Sequence, residues 1–526
     1  MPEIVLTTLN AKYIHAAFGL RYLLANLGPL QSRARIREFE INQRPLDIAE
    51  GLLALEPRIL GCGIYLWNTA PFAEVLGIIK RIRPDLIIVA GGPEVSFEVA
   101  DQPVTVLADY VITGEADLAF RQLCTRLLSG DPPAGKIIAA DLPDFSSIEL
   151  PYDLYTEEDL AHRLVYVEAS RGCPFTCEFC LSSLDVPVRQ VALPSFLAAM
   201  QGLLDRGLKH FKFVDRTFNL NVQNSRAILE FFLTRYQPGQ FFHFEMVPDR
   251  LPPELREVIS RFPQGSLQFE VGIQTFNEEV GALIKRRQNY GRLEDNLRFL
   301  RTKTGVHIHA DLIAGLPGES LESFAEGFDR LIALAPQEIQ VGILKRLRGT
   351  PIVRHDAPWQ MFYHSHPPYE LLQNKLLGFE VMQKLRRFAR FWDLVGNSGN
   401  FIETTPRLWQ APDSRPAHSP FYAFLRFSEW LHGQTRRTDG IALVRLLQLM
   451  FQYLTSELHH EPGGIAESLW RDYRRGGRKD APPFLRAYLS QKESWEAGRA
   501  ETPGPPKRQA RHGLAPSLKN SNISLT

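Results

Sequence analysis

Three cysteines, Cys173, Cys177 and Cys180, lie close together in the run Ala169-Ser170-Arg171-Gly172-Cys173-Pro174-Phe175-Thr176-Cys177-Glu178-Phe179-Cys180. Thiolates are soft ligands, and three from one short loop fill three corners of a cubane [4Fe-4S] cluster. That count leaves one iron open to a ligand the chain does not supply. A ferredoxin-type electron carrier needs a fourth cysteine, and the remaining two, Cys62 and Cys124, each stand alone. A tetrahedral zinc centre also needs a fourth donor. His162, His210 and His243 are the candidates, and none has a paired spacing with the triplet. Five cysteines in 526 residues are too few for a disulfide scaffold.

The elements around this loop must hold it. From Leu164 the chain alternates strand-like apolar runs with longer helical stretches: Leu164 to Ala169, Phe211 to Val214, Phe241 to Met246, Leu267 to Ile273, His307 to Ile313 and Ile339 to Leu344. Six such strands read as a (β/α)6 partial barrel over 155–355, with the cysteines on the loop after its first strand. Residues 1–145 show the same alternation with shorter periods, at Ile4 to Leu6, Ile36 to Ile41, Ile59 to Leu66, Leu86 to Ala90, Tyr110 to Ile112 and Ile137-Ile138. That pattern predicts an α/β, doubly wound parallel sheet with ligands at the strand C-terminal ends. Gly91-Gly92 and Gly114-Glu115 lie on that edge. Residues 356–495 read as a helical C-terminal domain over Leu371 to Phe391, Phe421 to His432 and Gly440 to His459. Its aromatics are read as core. The segment 496–526 is rich in Pro and Gly and reads as disordered.

Composition bounds the function class. Lys and Arg number 60 against 59 Asp and Glu, a formal charge of +1. Such a balance gives no electrostatic reason to expect nucleic acid or a membrane surface as a partner. The N-terminus has no basic and apolar leader pattern, and no apolar run reaches the length of a membrane helix. These features read as a cytoplasmic protein acting on a small molecule.

The motif C-x3-C-x2-C, with Phe179 before its third cysteine and a barrel strand before its first, resembles that of the radical S-adenosylmethionine superfamily. The resemblance implies that the open iron holds the methionyl amino and carboxylate groups of S-adenosylmethionine. Reductive cleavage then leaves methionine and a 5′-deoxyadenosyl radical. It also implies cofactor contacts from Phe179, from Asp215 after the second strand, from Glu245 on the third and from Gln274 on the fourth. Arg286 follows on the next helix, and Ile313 and Gly315 belong to the fifth-strand segment Asp311-Leu312-Ile313-Ala314-Gly315-Leu316-Pro317-Gly318-Glu319 that meets adenine. The Gly-Gly-Glu form of the second-strand segment is missing, Asp215 standing in Phe213-Val214-Asp215-Arg216.

A doubly wound sheet ahead of such a barrel resembles the cobalamin-binding domain of the B12-dependent branch. Three loops carry the likeness: Gly61-Cys62-Gly63-Ile64-Tyr65-Leu66-Trp67-Asn68, Ala90-Gly91-Gly92-Pro93-Glu94-Val95-Ser96 and Ala108-Asp109-Tyr110-Val111-Ile112-Thr113-Gly114-Glu115. Gly91, Gly92, Gly114 and Glu115 are therefore expected to line a cobalamin site. The Asp-x-His-x-x-Gly signature that gives cobalt a histidine is absent, and His15 follows the first strand without it. The C-terminal part resembles a domain of unknown function found on such proteins. The implied activity is radical methylation, cyclisation or rearrangement, with an electron donor such as flavodoxin or ferredoxin. Two other readings are a cobalamin or Fe-S sensor without turnover and a methylthiotransferase-like tRNA enzyme. The second of these needs ligands for a further cluster that Cys62 and Cys124 cannot provide.

Overall fold

The computed structural model describes residues 1–100, 102–410, 419–489 and 507–513. It forms two compact units, one of residues 1–218, 345–354 and 363–370, the other of 219–344, 355–362 and 371–526. In the first unit, six parallel strands, β1 (Ile4–Asn10), β2 (Ala34–Glu40), β3 (Ile59–Gly63), β4 (Ile87–Gly91), β5 (Tyr110–Thr113) and β6 (Ile137–Ala139), lie in the order β2-β1-β3-β4-β5-β6. β1 is buried along its whole length because helices cover both faces. Val5, Leu60, Phe72 and Val75 fill one side of the sheet, and Ile4, Leu6, Phe120 and Leu123 the other. The strand order reverses between β1 and β3, which opens a crevice at their C-terminal ends. The expected doubly wound sheet is present, its strands within a few residues of those read from the sequence.

The second alternation begins in the first unit, where β7 (Val165–Val167) pairs in parallel with β8 (His210–Phe213). In the second unit, β9 (Phe241–Met246), β10 (Leu267–Gln274), β11 (His307–Ala314) and β12 (Glu338–Ile343) pair in sequence order, all parallel. Period-two burial sorts their side chains. Phe242, Phe244, Phe269, Val271, Ile308 and Ala310 are buried on one face. His243, Glu245, Glu270, His309 and Asp311 alternate with them and are half-buried. The helices Val222–Thr234, Pro253–Ser260, Tyr290–Lys303 and Leu321–Leu334 intervene. These are the six β/α strands that the sequence predicts for the central region.

After β12 the second unit is helical, with Phe379–Leu394, Pro420–Thr435, Leu443–Gln452 and Pro462–Arg474. The aromatics are core, as expected. Phe388 lies 5.1 Å from Phe424 and Trp392 4.8 Å from it, both edge-on, and Phe328 of the preceding helix meets Trp392 at 4.9 Å.

Two expectations fail here. Leu371–Gln373 is a short strand and not the start of a helix. The Leu371 amide donates to the Leu344 carbonyl at 2.8 Å. Asn374 then accepts from the Leu376 and Leu377 amides at 2.9 and 2.8 Å, so the chain turns before helix formation at Phe379. Within the segment expected to be disordered, Lys507–Gly513 is a helix. Arg508 forms an ion pair with Glu338 at 2.9 Å and donates to Asp393 at 2.7 Å, and Gln509 donates to Gln268 at 2.8 Å. Pairing over such sequence distances outweighs a local composition rich in Pro and Gly. The rest of that segment, 496–506 and 514–526, lies outside the described residues. Among the described residues no helix is long and apolar enough to cross a membrane.

Glu319 carries a pH-dependent part of the stability. It precedes the helix capped by Ser320 and does not sit in its first turn. Only 2 % of it is exposed, and burial pushes its carboxyl up to about 7 from 4.5, against the hydroxyl bond from Thr275 at 2.6 Å. A carboxyl whose pKa rises on folding stabilises most below its unfolded value and loses that contribution as pH climbs to its folded value. From 4.5 to about 7, at about 1.36 kcal/mol per pH unit, the loss is on the order of 3 kcal/mol. Glu319→Gln should therefore gain stability over wild type between about pH 5 and 7, read as a widening gap in urea midpoints. A constant gap across that range would contradict this assignment.

Candidate functional site

The cysteine loop is a closed structure. Two short antiparallel arms, Ser170–Arg171 and Arg189–Gln190, pair Ser170 with Gln190 and Arg171 with Arg189, and so bring the ends of loop 172–188 together. Gly172 has φ +88°, and a Cβ there would lie 2.6 Å from the Asp185 carbonyl oxygen and 3.1 Å from that of Pro187. Only glycine fits that crossing. The Cys173 amide donates to the same Asp185 carbonyl at 3.1 Å. Cys173 and Cys177 are buried, Cys180 is half-buried, and none of the three is in a disulfide. Phe179 beside them is half-buried. Among the described residues no three Cys, His, Asp or Glu side chains converge on a single-ion site. The donor set is three thiols and no imidazole, which fits a cluster whose irons each take one thiolate.

Asp215 secures the start of this loop. Its Oδ1 accepts from the Ser170 hydroxyl at 2.6 Å, and its two oxygens take the Ala169 amide at 3.2 and 3.0 Å. Burial raises its carboxyl to about 7, with these donors opposing the rise. The residue expected to contact a cofactor thus gives both oxygens to the backbone and hydroxyl just ahead of the cysteines.

In the second unit, the half-buried side chains of β9–β11 make a ladder. Nε2 of His243 lies 3.0 Å from Glu270, and Glu270 stands opposite His309 in the β10–β11 register. His309 in turn lies 3.3 Å from Asp311 and 3.5 Å from Glu338. Burial works against the charged imidazole of His309, but Asp311, Glu338 and Glu270 together hold it up to about 9. Glu245 and Ile313 are half-buried on the same strand faces.

Gln274 ends β10 at a register shift, with φ +72°. A non-glycine residue held there is strained, as residues at ligand sites often are. Its Oε1 is buried and has no hydrogen-bond partner among the described residues. Arg286 donates to the Gly272 carbonyl beside it. Gly315 has φ +94°, and a Cβ would lie 2.5 Å from Leu371. The turn and Leu371 require this glycine, where the sequence reading gave it to a planar ligand.

Within the first unit, the C-terminal ends of β3, β4 and β5 border a cleft of about 220 Å³. Gly63, Gly91, Gly92, Gly114 and Glu115 line it, with Arg171. Gly92, at φ +113°, brings its backbone so close that a Cβ would lie 2.5 Å from the Ile64 oxygen. Asn68, fully buried, donates to Thr8, Leu9 and Gly63 at 3.0, 3.2 and 3.1 Å and so fixes the switch point between β1 and β3. Small residues and main chain leave a slot for a flat or tail-like ligand. Nδ1 of His15 lies 2.6 Å from the Tyr166 hydroxyl. Glu115 lines the cleft and is also held by arginines. Arg171 reaches it at 2.9 Å and Arg189 at 3.0 Å, and the same Arg171 reaches Asp117 at 3.0 Å and Glu168 at 2.9 Å. Sequence reading missed Arg171, Arg189 and Asp117. Their pairing spans more than fifty positions for Glu115–Arg171 and more than seventy for Glu115–Arg189, which no local pattern displays.

Three family models match the chain: the B12 binding domain over 4–124, the radical SAM superfamily over 167–331 and a protein of unknown function, DUF4080, over 357–499. The chain carries a B12 binding domain followed by a radical SAM domain. An uncharacterized methyltransferase of Pyrococcus horikoshii is 30% identical over 207 residues, 35% of this chain and 44% of that protein. The cobalamin-dependent radical SAM methyltransferase TokK of Streptomyces tokunonensis is 28% identical over 342 residues, 57% of this chain and 48% of its own. The chain spans about half the length of these curated relatives. Among solved structures, the cobalamin-dependent S-adenosylmethionine radical enzyme OxsB with aqua-cobalamin bound superposes with TM-score 0.60 at 14% identity, over 90% of this chain and 84% of that one. That likeness is one of fold. It extends through both predicted α/β regions.

Proposed function

We propose that this protein is a cobalamin-dependent radical S-adenosylmethionine enzyme that methylates a small molecule. The observation that carries the reading is the hairpin-closed loop with three cysteines outside any disulfide after β7, in a chain whose preceding sheet bears a glycine-lined cleft. When bound, the cluster supplies the electron that splits S-adenosylmethionine into methionine and a 5′-deoxyadenosyl radical, and the corrinoid supplies a methyl group. Cys173, Cys177 and Cys180 would hold the cluster as thiolates. Gly172 and Asp215 keep the loop in the shape that presents them. Gln274 offers its buried Oε1 to a ribose hydroxyl, with Glu245, Arg286 and Ile313 as further cofactor contacts. Gly91, Gly92 and Gly114 admit the corrinoid to the cleft through bare backbone. His15, which lacks the Asp-x-His-x-x-Gly signature, is not assigned as a cobalt ligand. Methyl transfer is favoured over cyclisation by the names of the relatives from Pyrococcus and Streptomyces. The near-neutral chain suits a small-molecule substrate, and a flavodoxin or ferredoxin is the electron donor of matching chemistry.

Two measurements test this. Anaerobically reconstituted protein given dithionite and S-adenosylmethionine should release 5′-deoxyadenosine. A fully loaded cluster that releases none would overturn the reading. Gln274→Ala should keep its iron and bind S-adenosylmethionine about five- to tenfold more weakly, the worth of one hydrogen bond. Unchanged affinity would remove Gln274 from the site.

A further inference from the structure

The cleft and the cysteine loop share one group of charges. Glu115 and Asp117 belong to the segment after β5 that lines the cleft, and Arg171 lines the cleft with them. Arg171 and Arg189 are also the facing residues of the two arms that close the cysteine loop. Glu115 is held by both arginines, Arg189 also reaches Asp185 inside the loop at 3.0 Å, and Arg171 lies 4.4 Å over the Tyr22 ring of the cleft wall. The side chains of Arg171 and Arg189 are each 13% exposed, so this is a mostly buried arrangement in which a displaced partner leaves a charge unpaired.

We infer that Glu115 is a positioning residue that couples corrinoid binding in the cleft to cluster assembly on the loop. The inference rests on the cofactor reading above. Loop 172–188 contains a single turn of 3-10 helix, Leu181–Leu184, and is otherwise irregular, so three iron–thiolate bonds fix backbone that would otherwise cost conformational entropy to order. The fixed loop holds its two arms in register. The arms hold Glu115 and Asp117, and with them one wall of the cleft. A corrinoid arriving at an already ordered wall pays less of the ordering cost, which is positive cooperativity without a change of fold. Linkage makes the effect reciprocal. The carboxylates also surround Arg171 on the cleft side, so a phosphate on the ligand should enter at another edge.

The test is a thermodynamic cycle in affinities. Hydroxocobalamin dissociation constants are measured by anaerobic equilibrium dialysis on cluster-free and reconstituted protein, for wild type and for Glu115→Gln. In wild type the cluster should tighten binding about fivefold or more. In Glu115→Gln, at equal iron content, that factor should fall to within about twofold. A merely structural role would weaken both forms alike and leave the ratio intact. A wild-type ratio within twofold, or a full ratio in Glu115→Gln, overturns the inference. Should Glu115→Gln take up no iron, Glu115→Asp, which keeps the charge and shortens the reach, carries the comparison under the same criteria. Wild-type protein that takes up no iron or no hydroxocobalamin contradicts the cofactor reading instead.

Discussion

Cys177→Ala should lose the cluster and with it all release of 5′-deoxyadenosine. A cubane that keeps one iron open has three protein ligands and none to spare. Cys177 is buried within the closed loop, and neither remaining cysteine can replace it. Cys62 is on β3, and Cys124 is in the helix Asp117–Ser129, where burial raises both thiols well above their ordinary range. Such thiols resist forming the thiolate that iron requires. After anaerobic reconstitution the variant should lack the brown Fe-S absorbance and hold iron near background. The loss is a matter of presence or absence, larger than any effect of a contact residue. A variant that retained a full cluster would refute the assignment of this loop.

Gly172→Ala should come close to the same result without touching a ligand. The added Cβ meets the Asp185 oxygen at 2.6 Å, on backbone that cannot swing aside, at a φ of +88° that an alanine reaches only under strain. A strained residue of this kind costs about 1–3 kcal/mol before the clash is counted. Relief requires the loop end to move, which also breaks the bond from the Cys173 amide to Asp185. The expected result is at least a tenfold loss of iron retained after reconstitution and a lower melting temperature of the loaded protein. Wild-type iron content and melting temperature in the variant would mean that the loop tolerates another path.

What could be read from the sequence divides along a physical line. Strand periodicity, the cysteine spacing and the glycine-marked loops are local signals, and they locate both α/β regions, the cysteine loop and the cleft edge. β9 carries the same bounds in sequence and structure, because Phe242 and Phe244 alternate with His243 and Glu245 without ambiguity. Charges that choose partners across the fold leave no such trace. Glu115 reads as a cleft residue, and its pairing with Arg171 and Arg189 is not legible. Asp215 reads as a cofactor contact, and its bonds to Ala169 and Ser170 are not legible. Leu371 joined a strand because of Leu344, and the helix Lys507–Gly513 formed against Glu338, Asp393 and Gln268, residues far from it in sequence. The strain at Gln274 was also invisible beforehand, since a glutamine in a strand-end motif gives no sign of a left-handed backbone.

The central claim is the open iron, and magnetic resonance reads it directly. The reconstituted cluster is reduced by one electron and its paramagnetic spectrum recorded with and without S-adenosylmethionine carrying ¹⁵N at the methionyl amine. The three-thiolate loop predicts an altered signal and a resolved coupling to that nitrogen in double-resonance spectra. A full cluster whose spectrum is indifferent to S-adenosylmethionine, with no nitrogen coupling, would contradict it.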